Sequence, residues 1–264
     1  MTGNYDTLLL NDSADHVLLV TLNRPQVANA LNTQMAMDLM NLFEGLNINP
    51  ADTRAVVVTG SGTRAFCAGG DLKERNTLDD AAWRRQHLIF ERMTRAILQC
   101  PLPLIGAING AAFGGGCEIA AALDFVYAAD TAKFAQTETR LGIIPGAGGT
   151  QTLARAIGER RAKELILSAR PFSAQEALEW GLVNALYPVE SLVDNAVAIA
   201  TTIAENAPIA VRQAKSAIQR GLQMSIADGL AFEIEAYHQA VPTADRVEGV
   251  LAFNEKRKPL FTGK

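Results

Sequence analysis

Residues 109–118 read N-G-A-A-F-G-G-G-C-E, and the apolar run 119–123 follows directly. A helix beginning at Gly114–Gly116 carries a single carboxylate, Glu118, inside an otherwise apolar cylinder. Burying an isolated ionised carboxylate is costly, so such a residue has a pairing partner, a shifted pKa or a chemical task. The glycines fit the same picture. They let the backbone approach a ligand closely, and they leave unpaired N–H groups at a helix start, where the helix dipole favours negative charge. An anion or oxyanion site beside an acid/base group is one reading of the stretch. The other is a tight strand-to-helix turn with one Glu on the helix surface.

The segments around this stretch alternate between strands and helices. Residues 101–108 form a short apolar strand leading into it, and residues 54–59, R-A-V-V-V-T, read as a fully buried strand because the valines do not alternate with polar residues. Residues 16–22 form a further strand, ending at Asn23-Arg24-Pro25. A helical pattern starts at Asn32 and closes at Asn49-Pro50, and residues 79–99 form a long amphipathic helix. Between them Phe66-Cys67-Ala68-Gly69-Gly70-Asp71 is a second glycine-bearing turn, with Asp71 placed to cap whatever helix follows.

After the central helix, residues 124–128 and 133–135 read as strands, and residues 137–140 and 144–149 as loops, the second opening a helix. Ser173-Ala-Gln-Glu176 is a capping box whose helix Gly181 ends, and residues 182–186 read as a last strand. From residue 191 the pattern is helical only, over 191–206, 208–220, 225–240 and 245–256. This order predicts an α/β core over residues 1–190 and a helical C-terminal subdomain over residues 191–264.

Composition narrows the function class. At 264 residues the chain can bury a sizeable core, and 48% apolar with 20% charged residues is ordinary for a globular protein in water. A net charge of −4 gives no footprint for nucleic acid or an anionic membrane. Cys67, Cys100 and Cys117 form no C-x-x-C pair, which points to free thiols in a reducing compartment. The N-terminus shows no targeting pattern, and no apolar run is long enough for a bilayer, so the cytoplasm is the expected location.

Several familiar sites are absent. Gly60-Ser61-Gly62 is not a nucleophile elbow, and His16, His87 and His238 have no triad context. Gly146-Ala-Gly148-Gly149 matches neither a P-loop nor a dinucleotide fingerprint, and no His/Cys/Asp/Glu group has metal-ligand spacing. Cys67 and Cys117 read as small core residues. What remains is two glycine-bearing turns, each after a buried strand, and two carboxylates, Glu118 and Glu138. Taken alone, Glu138 reads as a solvated partner of Arg140.

As a set these motifs resemble the enoyl-CoA hydratase/isomerase, or crotonase, superfamily. The resemblance runs through Leu22-Asn-Arg-Pro25, Asn29-Ala-Leu31, Phe66 to Asp71, Asn109-Gly110, Gly114 to Glu118, Glu138, Gly142 to Gln151, Ala162-Lys-Glu-Leu165 and Ala252 to Arg257. Asp71-Leu-Lys-Glu-Arg75, Ala169-Arg170 and Pro242 to Arg246 look most like its methylglutaconyl-CoA hydratase branch. The resemblance implies a crotonase-like spiral of strand–strand–helix units and an acyl-CoA thioester substrate whose enolate is held in an oxyanion hole. By similarity the hole is formed by the N–H groups of Ala68 and Gly115, and Glu118 and Glu138 hold and activate one water. Ala68, Gly69, Gly70, Asp71 and Gly115 are the implied substrate-binding positions, with Phe253 and Lys256 reaching the coenzyme A of a neighbouring subunit. No metal or redox cofactor is implied, and the helical tail implies a homotrimer or homohexamer. The presence of both glutamates favours hydration of a 2-enoyl-CoA, general or branched. Isomerisation, thioester hydrolysis and non-catalytic acyl-CoA binding are the alternatives. Phe113 and Thr137 replace a common Leu and Pro, which bears on acyl specificity.

Overall fold

In the computed structural model, which describes residues 5–264, the buried apolar runs become the middle strands of a sheet. Residues 1–4, where the reading of the N-terminus begins, lie outside the described residues. β1 (Leu8–Ala14) and β2 (Val17–Leu22) form an antiparallel hairpin. A 3-10 turn then leads to α1 (Thr33–Ile48), capped by Asn32, whose side chain accepts from Met35 N at 2.9 Å. β3 (Ala55–Gly60), β4 (Ala65–Cys67), α2 (Leu72–Arg75) and α3 (Asp80–Gln99) follow. Next come β5 (Leu104–Ile108), β6 (Ala111–Phe113) and α4 (Gly115–Ala122). They are succeeded by β7 (Phe125–Ala129), β8 (Lys133–Ala135), α5 (Gly149–Ile157) and α6 (Glu159–Ser168). β9 (Phe172–Ser173), α7 (Ala174–Trp180) and β10 (Ala185–Tyr187) complete the sheets, and α8 (Val189–Ala204), α9 (Pro208–Gly221), α10 (Ile226–Ala240) and α11 (Ala244–Glu255) complete the chain.

Two sheets result. The larger runs β1-β2-β3-β5-β7-β10, parallel except for the β1–β2 hairpin, and the smaller runs β4-β6-β8-β9, parallel except at β9. Three successive turns of chain place one strand in the large sheet, the next in the small sheet, and then a helix. The strands of each turn lie beside those of the turn before, β3-β5-β7 in one sheet and β4-β6-β8 in the other. This is the strand–strand–helix spiral. Asn109 locks two of its corners together, donating to Gly60 O (2.9 Å) and Gly62 O (2.8 Å) while accepting from Gly60 N. Asn29 does the same nearby, donating to Ser61 O and Ala65 O at 3.0 Å each.

α8 packs against β2, β3, β5 and β7. Its buried stripe is Leu192, Ala196, Ala200 and Ala204, one residue per four, small enough for helix and sheet to approach closely. The packed core therefore continues through Ala204 instead of ending at residue 190. α9 buries no residue and is tied to the core by polar contacts, Lys215 Nζ to Asp124 (2.6 Å) and Gln219 to Leu98 O (2.7 Å). It packs on α10, and the pair leaves Ile218, Leu222, Ile226, Leu230 and Ile234 exposed.

Candidate active site

α4 starts where the sequence places it. Gly114 has φ 49° and ψ −122°, a backbone conformation closed to residues with a side chain. Two residues further on, a Cβ on Gly116 would overlap Cys67 O and lie 2.8 Å from Cys67 Cβ. The glycine therefore brings the start of α4 against the end of β4. Glu118, in the first turn of α4, is buried, and its Oε1 accepts from Ala147 N and Gly149 N, both at 2.8 Å. Burial pushes its pKa up to about 7 and the nearby Glu138 adds to the rise, while the two N–H donors and Arg75 pull it down.

Glu138 opens the 3-10 turn Glu138–Leu141 and is buried as well. Its Oε1 lies 3.0 Å from where a Cβ on Gly114 would stand, and its Oε2 has no protein partner. Burial raises its pKa too. The solvated pair with Arg140 does not form: among the described residues, Glu138 makes no ion pair. Instead both carboxylates line one cleft of about 850 Å³, with Ala68, Gly69, Gly70, Gly114 and Gly115 on the same wall.

The backbone donors of that wall differ in one respect from the implied pair. Ala68 N–H is committed to Ala28 O at 3.0 Å, because the turn after β4 pairs with the segment before α1. The same pairing uses Gly69 O, which accepts from Leu31 N (2.8 Å), and Asp71 N, which donates to Leu31 O (2.9 Å). Gly70 N–H falls between these bonds and meets no acceptor among the described residues. It lies 4.0 Å from where a Cβ on Gly115 would stand. Gly115 is the first residue of α4, so its N–H has no acceptor within the helix. The two free donors that face each other thus belong to Gly70 and Gly115, and Ala68 is corrected from donor to lining residue.

Asp71 also stands elsewhere than implied. It caps α2, accepting from Lys73 N (3.2 Å) and Glu74 N (3.3 Å), pairs with Arg24 at 3.0 Å, and does not line the cleft. Its work is to hold the 67–71 turn in place. Phe253, 84% exposed, and Lys256, the left-handed C-cap of α11, are likewise away from their own chain's cleft. Cys67 and Cys117 are buried, and burial pushes the Cys67 thiol up to about 11, so neither is a poised nucleophile.

The rest of the lining escaped sequence reasoning. Arg75, Trp83, His87 and Phe90 from α2 and α3 line the cleft with Ile143 and Ile144. The Arg75 guanidinium lies 4.7 Å from the Trp83 ring centre and 5.1 Å from that of Phe90. Nothing in the spacing of an amphipathic helix marks which of its half-buried residues will face a cleft instead of a core.

The profile of the enoyl-CoA hydratase/isomerase family matches residues 12–264. The chain belongs to this family. It is 45% identical over 258 residues to YngF of Bacillus subtilis, covering 98% of this chain and 99% of that one. It is 41% identical to the short-chain-enoyl-CoA hydratase of Clostridium acetobutylicum, covering 92% of each. A solved enoyl-CoA hydratase from Bacillus anthracis superposes with a TM-score of 0.96 at 46% identity, over 98% of this chain and 100% of that one. The α/β spiral is accordingly the crotonase fold. Among the described residues of this family member, no helix is long and apolar enough to cross a membrane, and no group of three or more His, Cys, Asp or Glu is placed to hold a metal ion.

Proposed function

We propose that the protein is an enoyl-CoA hydratase, adding water across the 2,3 double bond of an enoyl-CoA to give the 3-hydroxyacyl-CoA. The observation that carries this reading is two buried carboxylates, both raised in pKa, in one cleft with two free backbone donors. Hydration needs each part. One carboxylate takes a proton from water as the hydroxyl adds to the β-carbon, and the displaced electron pair moves through the α-carbon onto the thioester oxygen. The N–H groups of Gly70 and Gly115 hold that oxyanion. A carboxyl group then returns a proton to the α-carbon, the enolate collapses to the thioester, and the site's proton inventory is restored. Two carboxyl groups whose burial raises their pKa values can run these transfers in either direction. Isomerisation and thioester hydrolysis do not call for two carboxylates to hold one water.

In this mechanism coenzyme A enters only as part of the substrate, and no metal or redox cofactor takes part. Chelator-treated protein is expected to remove the conjugated absorbance of crotonyl-CoA at the full rate. Activity lost on chelation and restored by a divalent metal would overturn the reading.

We further propose that α9–α11 assemble the chain into a homotrimer or homohexamer, bringing Phe253 and Lys256 to a neighbour's coenzyme A. The exposed apolar residues of α9 and α10 support this, since they form a contiguous unpartnered face. Light scattering at micromolar concentration is expected to give a trimeric or hexameric mass. A fully active monomer would refute it. The acyl-CoA thioester is the one partner this account requires, and the cytoplasm is its proposed setting.

A further inference from the structure

One cation stands at the carbonyl-binding end of the cleft, and the mechanism above gives it no task. Arg75, at the end of α2, is half-buried, and its side chain makes one hydrogen bond, from Nε to Gln86 Oε1 at 3.1 Å. Gln86 is buried and itself fixed, donating to Thr33 Oγ1 and Glu74 Oε2 at 2.8 Å each. Trp83 and Phe90 flank the guanidinium, their ring centres 4.7 and 5.1 Å from its carbon. Its Cζ and Nη1 both lie 3.2 Å from where a Cβ on Gly70 would stand, so a glycine at this position lets the charge come near. The guanidinium makes no ion pair with any described carboxylate. Glu118, Glu138 and Glu74 act on it through space, and Arg84 and His87 line the same cleft. An oriented, partly desolvated charge with both terminal nitrogens uncommitted therefore stands beside one half of the oxyanion site.

We infer that Arg75 is a third stabilising group of the oxyanion site, acting on the negative charge that develops on the thioester oxygen between Gly70 N and Gly115 N. This rests on the hydratase reading above and adds a residue to its machinery. Before reaction the negative charge sits on a glutamate, with which the guanidinium does not pair. As water adds, that charge passes through the α-carbon onto the thioester oxygen, beside Gly70 and hence beside the guanidinium. A fixed cation nearer the end of this path than its start favours the transition state over the bound substrate. The surroundings keep the charge effective. Flanked by two aromatic rings, it is screened less by water than a surface cation, and Gln86 holds it without neutralising it. The two backbone donors contribute neutral N–H groups, whereas a full charge beside them acts without touching the oxygen.

The test measures crotonyl-CoA hydration by the wild type, Arg75→Met and Arg75→Lys, each at its own pH optimum, with thermal melting as the control for folding. Arg75→Met is expected to lose at least about tenfold in kcat with little change in KM, because the interaction forms only as the charge moves. Arg75→Lys, which keeps the charge, recovers most of that loss. Arg75→Gln is the second neutral variant should Arg75→Met fold poorly, with the same loss expected. Infrared difference spectra of bound butyryl-CoA, which cannot be hydrated, labelled isotopically at the thioester carbon, supply a readout independent of the glutamates. Its carbonyl stretch is expected at lower frequency in the wild type and Arg75→Lys than in the neutral variants, because the charge polarises the bond. An unchanged kcat or an unchanged stretch in the neutral variants would overturn the inference while leaving the hydratase reading intact. So would a rise in KM alone, which marks a contact to coenzyme A. A loss that disappears at the pH optimum would also overturn it, making Arg75 a counter-ion to the glutamates. Failure of the wild type to hydrate crotonyl-CoA would instead strike the hydratase reading itself.

Discussion

Glu118→Gln and Glu138→Gln are each expected to lower the turnover number by roughly a hundredfold or more, a general acid–base contribution. The double variant is expected to be little worse than the worse single one, because the two carboxylates serve one water and act as a unit. KM is expected to change less, since the backbone donors and coenzyme A contacts remain. Glu118→Gln has a second signature in stability. The amide oxygen can still accept from Ala147 N and Gly149 N, so the packing survives. In the wild type, a carboxylate raised from 4.5 to about 7 by burial opposes folding as it ionises. That cost is absent below the unfolded pKa, grows as pH rises through the window between the two values, and is complete above the folded one. The variant should therefore be more stable than the wild type at about pH 8, by up to roughly 3 kcal/mol, and show no gain at about pH 4. A stable Glu138→Gln protein with full hydratase activity would remove Glu138 from the mechanism.

Gly116→Ala is expected to cost both stability and activity. The added Cβ overlaps Cys67 O and would lie 2.8 Å from Cys67 Cβ, atoms that belong to a buried strand end and cannot yield like a surface side chain. Relief requires α4 to move away from β4, at a cost of about 3 kcal/mol. The same movement separates Gly115, on α4, from Gly70, on the turn after β4. Because the two donors must meet one oxygen, turnover should fall by roughly a hundredfold even where the protein remains folded. Gly45→Ala is the matched control. Gly45 lies inside α1 with nothing within 4 Å of its added Cβ, so there alanine should stabilise by about 0.5–1 kcal/mol. Chemical denaturation and initial rates on both variants measure these effects. A Gly116→Ala protein as stable and active as Gly45→Ala would show that the contact between α4 and β4 does not set the site.

Elements were legible in the sequence where a local signal was strong. The unalternating valines of β3, the Asn32 cap of α1, the glycine start of α4 and the Ser173–Glu176 capping box all form as read. β1 was missed because Asn11, Asp12 and Ser13 resemble a turn. Its strand state comes from pairing with β2, a tertiary contact. β4 and β6 have three residues each, too few to show a period, and they are strands because neighbouring turns of the spiral hydrogen-bond to them. α6 carries no cap signal and follows α5 after Gly158 alone.

The site divides along the same line. Glu118 stands out as a charge in an apolar run. Glu138 becomes visible only through family resemblance, because its burial depends on a turn folding over Gly114. Assigning the donor to Ala68 fails for a reason outside the motif: Ala28, forty residues earlier in the chain, takes its N–H. Arg75 has no local signal at all, since its place in the cleft depends on α2 and α3 facing the glycine-bearing turns.

The central claim is that Gly70, Gly115, Glu118 and Glu138 converge on one acyl group. A crystal structure of the protein with a 3-ketoacyl-CoA, which resembles the product and does not turn over, tests it most directly. The account predicts the thioester oxygen within about 3 Å of both Gly70 N and Gly115 N. It also predicts the 3-oxygen between the two carboxylates and Ala68 N still bonded to Ala28 O. A thioester oxygen bound anywhere else, or a 3-oxygen out of reach of either glutamate, would contradict it.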